Sequence, residues 1–368
     1  MNEGAEASPA VERATARVPA RLWRILKFAV ALFFLVGALQ LMKTGAAALD
    51  VLNGGGLLVR NAGATFGLGW LGALVVLSGA PVIATGLALV AAGSISEVQG
   101  FTMMAGARLG AAFVVLVVAV VYALRGGEGE RFKPVSTAIM ALATTAVIYV
   151  PGTFLGLLVL RLPAFRSISI SFPHGFSDLL DIVYGGIVDR VSGWPPVLVF
   201  LGGLAILVGS FKLLDAAIPE LNEDSLGSRR AGWLRRKWPM FGLGCLVAMA
   251  TMSVSVALTV LVPLVAKKSV KREDIVPYIM GANVGTLGDK LLPALALDSP
   301  AAIRIVLAGI VTTLALSVIA LTFLYPQIRT LVFRTQRQIL KSKTRLAAFT
   351  GALVAVPLLI IEVANLLS

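Results

Sequence analysis

The chain is short of the residues that soluble enzymes and metalloproteins depend on. Its one cysteine, Cys245, excludes an internal disulfide and a cysteine-built metal site. Its one histidine, His174, excludes a histidine-ligated metal centre. Only 14% of its 368 residues are charged. No paired catalytic carboxylates and no nucleophile–base arrangement stand inside its apolar runs, so an enzyme is not expected. Acidic side chains are scarcer than basic ones, 19 against 32, which leaves a net charge of +13. That surplus would suit nucleic acid, but a membrane protein gathers Lys and Arg in its cytoplasmic loops anyway, and no nucleic-acid partner is expected. What the chain has in quantity is apolar side chains: 58% of residues are hydrophobic and the mean hydropathy is +0.90. This composition belongs to an all-α polytopic membrane protein, one membrane domain with short loops. No cleavable signal peptide is expected, because Met1–Leu22 is polar and precedes an apolar segment too long for a signal core.

About 20 apolar residues cross a bilayer core. Seven runs meet that length: Ile25–Met42, Gln99–Leu124, Val135–Leu160, Pro195–Leu214, Ile275–Leu297, Ile303–Tyr325 and Leu346–Leu367. Two more are interrupted. Phe66–Gly93 is broken by Ser78-Gly79-Ala80-Pro81, and Met240–Ala266 carries Ser253-Val254-Ser255 at its middle. Each could cross once, or enter and return as two half-helices. Basic residues separate the two cases. If both runs are re-entrant hairpins and the N-terminus is cytoplasmic, 23 Lys and Arg fall inside and 6 outside. If Phe66–Gly93 crossed, the basic stretch in Ile218–Trp238 would lie outside. The positive-inside rule therefore favours hairpins.

An internal repeat points the same way. FLVGALQLM at Phe34–Met42 resembles FLGGLAILV at Phe200–Val208, and GARLG at Gly106–Gly110 resembles GANVG at Gly281–Gly285. At the second offset Ser78 matches Ser253 and Ala80 matches Ser255. Each copy holds three crossings and one hairpin. Three is odd, so the second copy lies inverted, and inverted repeats with broken helices at the midplane mark transporters. The expected organisation is a polar, basic tail (1–24), a first repeat (25–160, hairpin about 66–94) and an extracytoplasmic loop (161–194). A second repeat (195–325, hairpin about 240–266), a basic cytoplasmic loop (326–345) and an extra final span (346–368) follow. The protein is expected in the cell membrane, its N-terminus cytoplasmic and its C-terminus extracytoplasmic. The loops' Trp and Arg suit contact with anionic lipid headgroups. In the outer loop, Asp178, Asp181 and Asp189 with His174 show no calcium-binding spacing and are expected as solvated surface.

GANVGT at Gly281–Thr286, the hairpin serines and the duplicated arrangement together resemble the type II sodium-dependent phosphate cotransporters, over most of Phe34–Ala315. The resemblance implies that phosphate and sodium bind where the two hairpins meet. This sequence departs from the family at several points. The family's Gln-Ser-Ser-Ser motif is reduced to Leu77-Ser78-Gly79-Ala80 in the first hairpin and Met252-Ser253-Val254-Ser255 in the second. The first GAN has become Gly106-Ala107-Arg108.

Carried onto this chain, the resemblance makes Ser78, Ser253, Ser255, Asn283, Thr286 and Arg108 the expected substrate-binding residues. No resident metal or other cofactor is implied, only a sodium ion as coupling ion near Ser253, Ser255 and Asn283. The expected partners are inorganic phosphate or another small anion, and membrane lipids. The chemistry is that of an anion site: half-helix N-termini present free amides and a positive dipole end, and hydroxyls and an amide complete the hydrogen bonding.

Arg108 and the pair Asp289–Lys290 lie near the middle of apolar runs, where a charge costs roughly 2.5–3.5 kcal/mol to insert. One reading is a structural ion pair of Arg108 with Asp289, with Lys290 reaching toward the outer surface. The other makes Arg108 or Lys290 a fixed cation facing an anion, and coupling chemistry the role of all three. Three functions follow from these readings. The first is secondary transport of phosphate or a related oxyanion, coupled to sodium or protons. The second is sodium-independent translocation of an organophosphate or lipid phosphate. The third is a membrane sensor or scaffold that does not transport.

Overall fold

The computed structural model describes residues 20–48, 59–125, 132–168, 170, 178, 180–217, 236–252, 257 and 274–367. Helix is the regular structure throughout them, as a bilayer solvent requires of an apolar chain whose backbone must bond to itself. The principal helices are α1 (Ala20–Ala47), α2 (Ala62–Val76), α3 (Gly79–Ala91), α4 (Glu97–Arg125), α5 (Phe132–Arg161) and α6 (Pro196–Ala217). They continue with α7 (Lys237–Thr251), α8 (Ile275–Gly288), α9 (Leu291–Ala296), α10 (Pro300–Ile319), α11 (Tyr325–Leu340) and α12 (Lys343–Leu366). Six stretches among the described residues are long and apolar enough to cross a membrane: Leu22–Ala47, Glu97–Val117, Val135–Arg161, Pro196–Ala217, Pro300–Leu340 and Lys343–Leu366. The chain is an all-α polytopic membrane protein.

The interrupted run at Phe66–Gly93 folds back on itself. α2 stops at Val76 because Leu77 takes the left-handed conformation, φ 55° and ψ 29°, and α3 restarts after an extended Ser78. A Cβ added to Gly72 would lie 3.2 Å from Val82, ten residues on. In one straight helix those residues would be about 15 Å apart. The break falls at Leu77–Ser78, and Pro81 belongs to the first turn of α3, where its missing N–H costs nothing.

α7 ends in the same way, at Met252 with φ 48° and ψ 16°. The left-handed region is unfavourable for any side chain with a Cβ, yet both turns use a bulky residue at equivalent positions. Apart from Ala257, the rest of the second interrupted run, Ser253 and Ser255 included, lies outside the described residues.

The helix pairs α2–α4 and α7–α8 pack alike at atomic detail. A Cβ on Gly106 would sit 1.9 Å from the Phe66 carbonyl oxygen, and one on Gly281 sits 1.9 Å from that of Phe241. Gly110 meets the Trp70 carbonyl at 2.3 Å and Gly285 that of Cys245 at 2.3 Å; Gly69 meets Met103 at 2.1 Å and Gly244 meets Tyr278 at 2.1 Å. Every member of these pairs is 175 residues from its counterpart, as are Leu77 and Met252. Both pairs pack backbone against backbone through glycines that admit no side chain. The final helix breaks the likeness. α12 lies on α2, where Asn61 Nδ2 donates to the Ala364 carbonyl at 2.8 Å and Gly67 faces Ile361. Gly242, the counterpart of Gly67, meets nothing within 4 Å among the described residues.

Two expectations are corrected. Ile275–Leu297 is not one helix: it breaks after Gly288 and resumes as α9. Pro293 explains the site of the break, since it has no N–H for the carbonyl of Asp289, four residues back, and its ring crowds that carbonyl. Leu292 N–H bonds it instead, at 3.3 Å.

The basic stretch 326–345 is not a loop. α10 passes through a π turn, Ala320–Leu324, into α11, whose Ile328, Val332, Gln336 and Ile339 are buried at helical spacing. The Pro300–Leu340 stretch has 41 residues, about 60 Å at helical rise, roughly twice what a bilayer core needs. A π turn disturbs the regular hydrogen-bond ladder, and Lys237 Nζ donates to the Leu321 carbonyl there at 2.6 Å. The segment between α5 and α6 also carries order. Tyr184, in a π turn at Asp181–Gly185, is buried and donates to the Phe33 carbonyl of α1 at 2.9 Å.

Candidate functional site

α4 is the most enclosed of the spans: 89% of its apolar window is buried, against 11% for α12. It runs through two apolar clusters. One contains α4 up to Ala107 together with Leu287 of α8 and residues of α1, α3 and α10. The other contains α4 from Ala112 together with Ile275–Ala282 of α8 and residues of α5, α7 and α11. Arg108 stands between them, 4% exposed, in a polar layer with Tyr149, Asn283 and Thr286.

Hydrogen bonds hold the guanidinium tightly. Nε donates to the Tyr149 hydroxyl at 2.9 Å, and Nη2 donates to the Asn283 carbonyl at 3.0 Å and to Thr286 Oγ1 at 2.5 Å. The Tyr149 hydroxyl in turn donates to the Asn283 carbonyl at 3.1 Å, and Thr286 donates to the Ala282 carbonyl at 2.9 Å. Arg108 also lies over the Tyr149 ring, 5.2 Å from its centroid. Arg108 and Asn283 are 175 residues apart, the same offset as the matched glycines, and are in direct contact.

No carboxylate among the described residues approaches Arg108 within salt-bridge distance. Asp289 is bonded to Lys290 instead, so the expected Arg108–Asp289 pair does not form. Nor does Lys290 reach the surface: it is 2% exposed, held by Asp289 and lying 6.0 Å from the Phe211 ring. Arg108 Nη1 makes no hydrogen bond among the described residues.

Arg108 lines a cavity of about 40 Å³, room for a few waters. Its other walls are Ser78, Gly79 and Ala80 at the first turn of α3, Thr286, Lys290, Ala111, Met252, and Phe211 and Asp215 of α6. Ser78 occupies the N-cap position of α3 without capping it, so its hydroxyl and the first amides of α3 are available to an occupant. The cavity thus presents two cations, a hydroxyl and a helix N-terminus, with one accessible carboxylate, Asp215.

Ser78, Arg108, Thr286 and Lys290 therefore come together as expected site residues. Asn283 does not line the cavity. Its side chain donates to Thr145 Oγ1 at 3.1 Å, and only its backbone carbonyl serves Arg108. Ser253 and Ser255 lie outside the described residues, as does the sodium expectation that depends on them.

Tyr149, Thr145 and Asp215 were missed by reasoning from the sequence. Thr145 and Tyr149, four residues apart on one face of an apolar span, were a legible signal. Asp215 directly follows Leu214, where its apolar run was taken to end.

No family model matches the chain, and no curated protein or solved structure matches it. The class that fold and site define is a polytopic helical membrane protein with a buried cationic centre between two broken helices.

Proposed function

We propose that the protein is a secondary transporter of phosphate or a related small oxyanion, built as an inverted repeat with re-entrant hairpins whose tips meet at the Arg108 cavity. One observation carries the reading. An arginine deep within the apolar helices is fixed on Nε and Nη2 by neutral acceptors, has no carboxylate at contact distance among the described residues, and lines a cavity with Lys290, Ser78 and the start of α3. A scaffold has no use for a buried guanidinium with no carboxylate at contact distance, because burying the charge costs stability. An anion in the cavity supplies the contact partner, and a guanidinium suits an oxyanion through charge and directed donors.

The constant offset between the two helix pairs supports a duplicated architecture, and the copies are antiparallel if the broken pair α8–α9 completes a third crossing in the second copy. The resemblance to type II sodium-dependent phosphate cotransporters rests on GANVGT, Ser78 and the duplication. The departures at the serine motifs and at Arg108 make sodium coupling weak or absent. The small volume of the cavity favours inorganic oxyanions over a lipid phosphate. The test is uptake of radiolabelled phosphate into proteoliposomes, with and without a sodium gradient. Saturable uptake supports the reading. Its absence at every gradient, with Arg108→Gln indistinguishable from the unmodified protein, refutes it.

A further inference from the structure

Asp289 and Lys290 form a buried pair at the gap between α8 and α9, 8% and 2% exposed. One carboxylate oxygen of Asp289 accepts from Lys290. The other, Oδ1, is buried and bonded by no other residue among those described. Lys290 lines the cavity and Asp289 does not. Lys290 therefore joins the two, its ammonium on the Asp289 carboxylate and its side chain part of the cavity wall.

Two charged groups on other helices act on this pair: Arg108 of α4 and Asp215 of α6. With all four groups ionised, two positive and two negative charges cancel. A half-satisfied buried carboxylate is costly unless something completes it, and beyond Lys290 and its own amide no group described around Asp289 does.

We propose that Asp289 is the proton-binding group of this site, and that its protonation releases Lys290 to the anion. The inference rests on the transport reading above and names its coupling ion. A proton from the aqueous phase adds to the Asp289 carboxylate, which becomes a neutral acid. Lys290 keeps its three protons and loses its counter-ion. The four-group cluster rises from zero to one positive charge, and a singly charged oxyanion restores neutrality between Arg108 and Lys290. Proton and anion then favour each other's binding by the same factor, since coupling between two sites is reciprocal. No sodium ligand is needed. Protonation supplies the positive charge, which agrees with the loss of hydroxyls from both hairpin motifs.

The test uses the full-length protein in detergent, with inorganic phosphate as the probe. Titration calorimetry in buffers of different ionisation enthalpy counts the protons taken up per anion bound. The expected count is close to one more in the unmodified protein than in Asp289→Asn. That corresponds to an apparent affinity gaining about tenfold per unit fall in pH relative to the variant. Comparing the two proteins with the same ligand removes the titration of phosphate itself.

Infrared difference spectra of the unmodified protein give a second readout that does not depend on the variant folding. A neutral carboxylic acid band should appear on phosphate addition. Phosphate binding without proton uptake or that band overturns the proposal and leaves the transport reading standing. The same follows if Asp289→Asn takes up protons as the unmodified protein does. Failure to bind or transport phosphate at any pH overturns both.

Discussion

Tyr149→Phe removes one oxygen atom from the site and nothing else. The ring stays, so the packing and the contact with Arg108 at 5.2 Å are kept. What disappears is the acceptor of Arg108 Nε at 2.9 Å and one of the three side-chain donors to the Asn283 carbonyl. Arg108 and Tyr149 are each 4% exposed, so bulk water does not take over the bond. A hydrogen bond to a charged group contributes about 1.5–3 kcal/mol. Nη2 still holds two acceptors, so the guanidinium pivots about that end rather than leaving.

Suppose the anion requires the fork in its fixed orientation. The whole cost then appears in the bound state, and the half-saturating anion concentration rises roughly ten- to hundredfold. If the free protein needs that bond equally, the cost appears in thermal stability and affinity stays unchanged. The assay is anion uptake against concentration in proteoliposomes, paired with the thermal transition in detergent. Unchanged half-saturation together with a lowered transition refutes the claim that Tyr149 orients Arg108 for an anion. Asn283→Ala supplies the contrast. Its carbonyl remains for Arg108 and only the bond to Thr145 is lost, so its effect on affinity should be clearly smaller than that of Tyr149→Phe.

Other outcomes follow from the same geometry. Gly281→Ala drives a methyl against the Phe241 carbonyl, where a Cβ would lie at 1.9 Å. Overpacking of this kind costs about 1–3 kcal/mol or more, so the thermal transition should fall well below that of Gly242→Ala, whose site is open; equal transitions would show that the α7–α8 contact does not support the fold. Anion uptake in the unmodified protein should be flat against sodium concentration, and steep dependence would refute the weak-coupling claim. Sodium dependence that appears only in Arg108→Asn would show that the arginine does a cation's work. Single cysteines at Glu97 and Lys268, in a Cys245→Ser background, should label from opposite sides of the membrane; both on one side would end the inverted arrangement.

The sequence alone determined the membrane class, because mean hydropathy and run length depend on composition and not on contacts. It also showed glycines at matching spacing, which a close backbone contact requires: Gly106, Gly110, Gly281 and Gly285 are such points. It located the charged residues that a bilayer would not admit without a reason. The partners of those residues were decided by tertiary structure. Arg108 lies as near in sequence logic to Asp289 as to anything else, yet Tyr149 and Thr286 hold it, since a side chain's neighbours depend on how α4, α5 and α8 cross. The same holds for Asp215, which leaves the apolar pattern at the end of α6 and returns to the site only because that helix end lies against the cavity. The basic stretch after Tyr325 read as a loop because charge dominates its average. Burial of Ile328, Val332 and Ile339 against neighbouring helices makes it α11, and that burial exists only once those neighbours are in place.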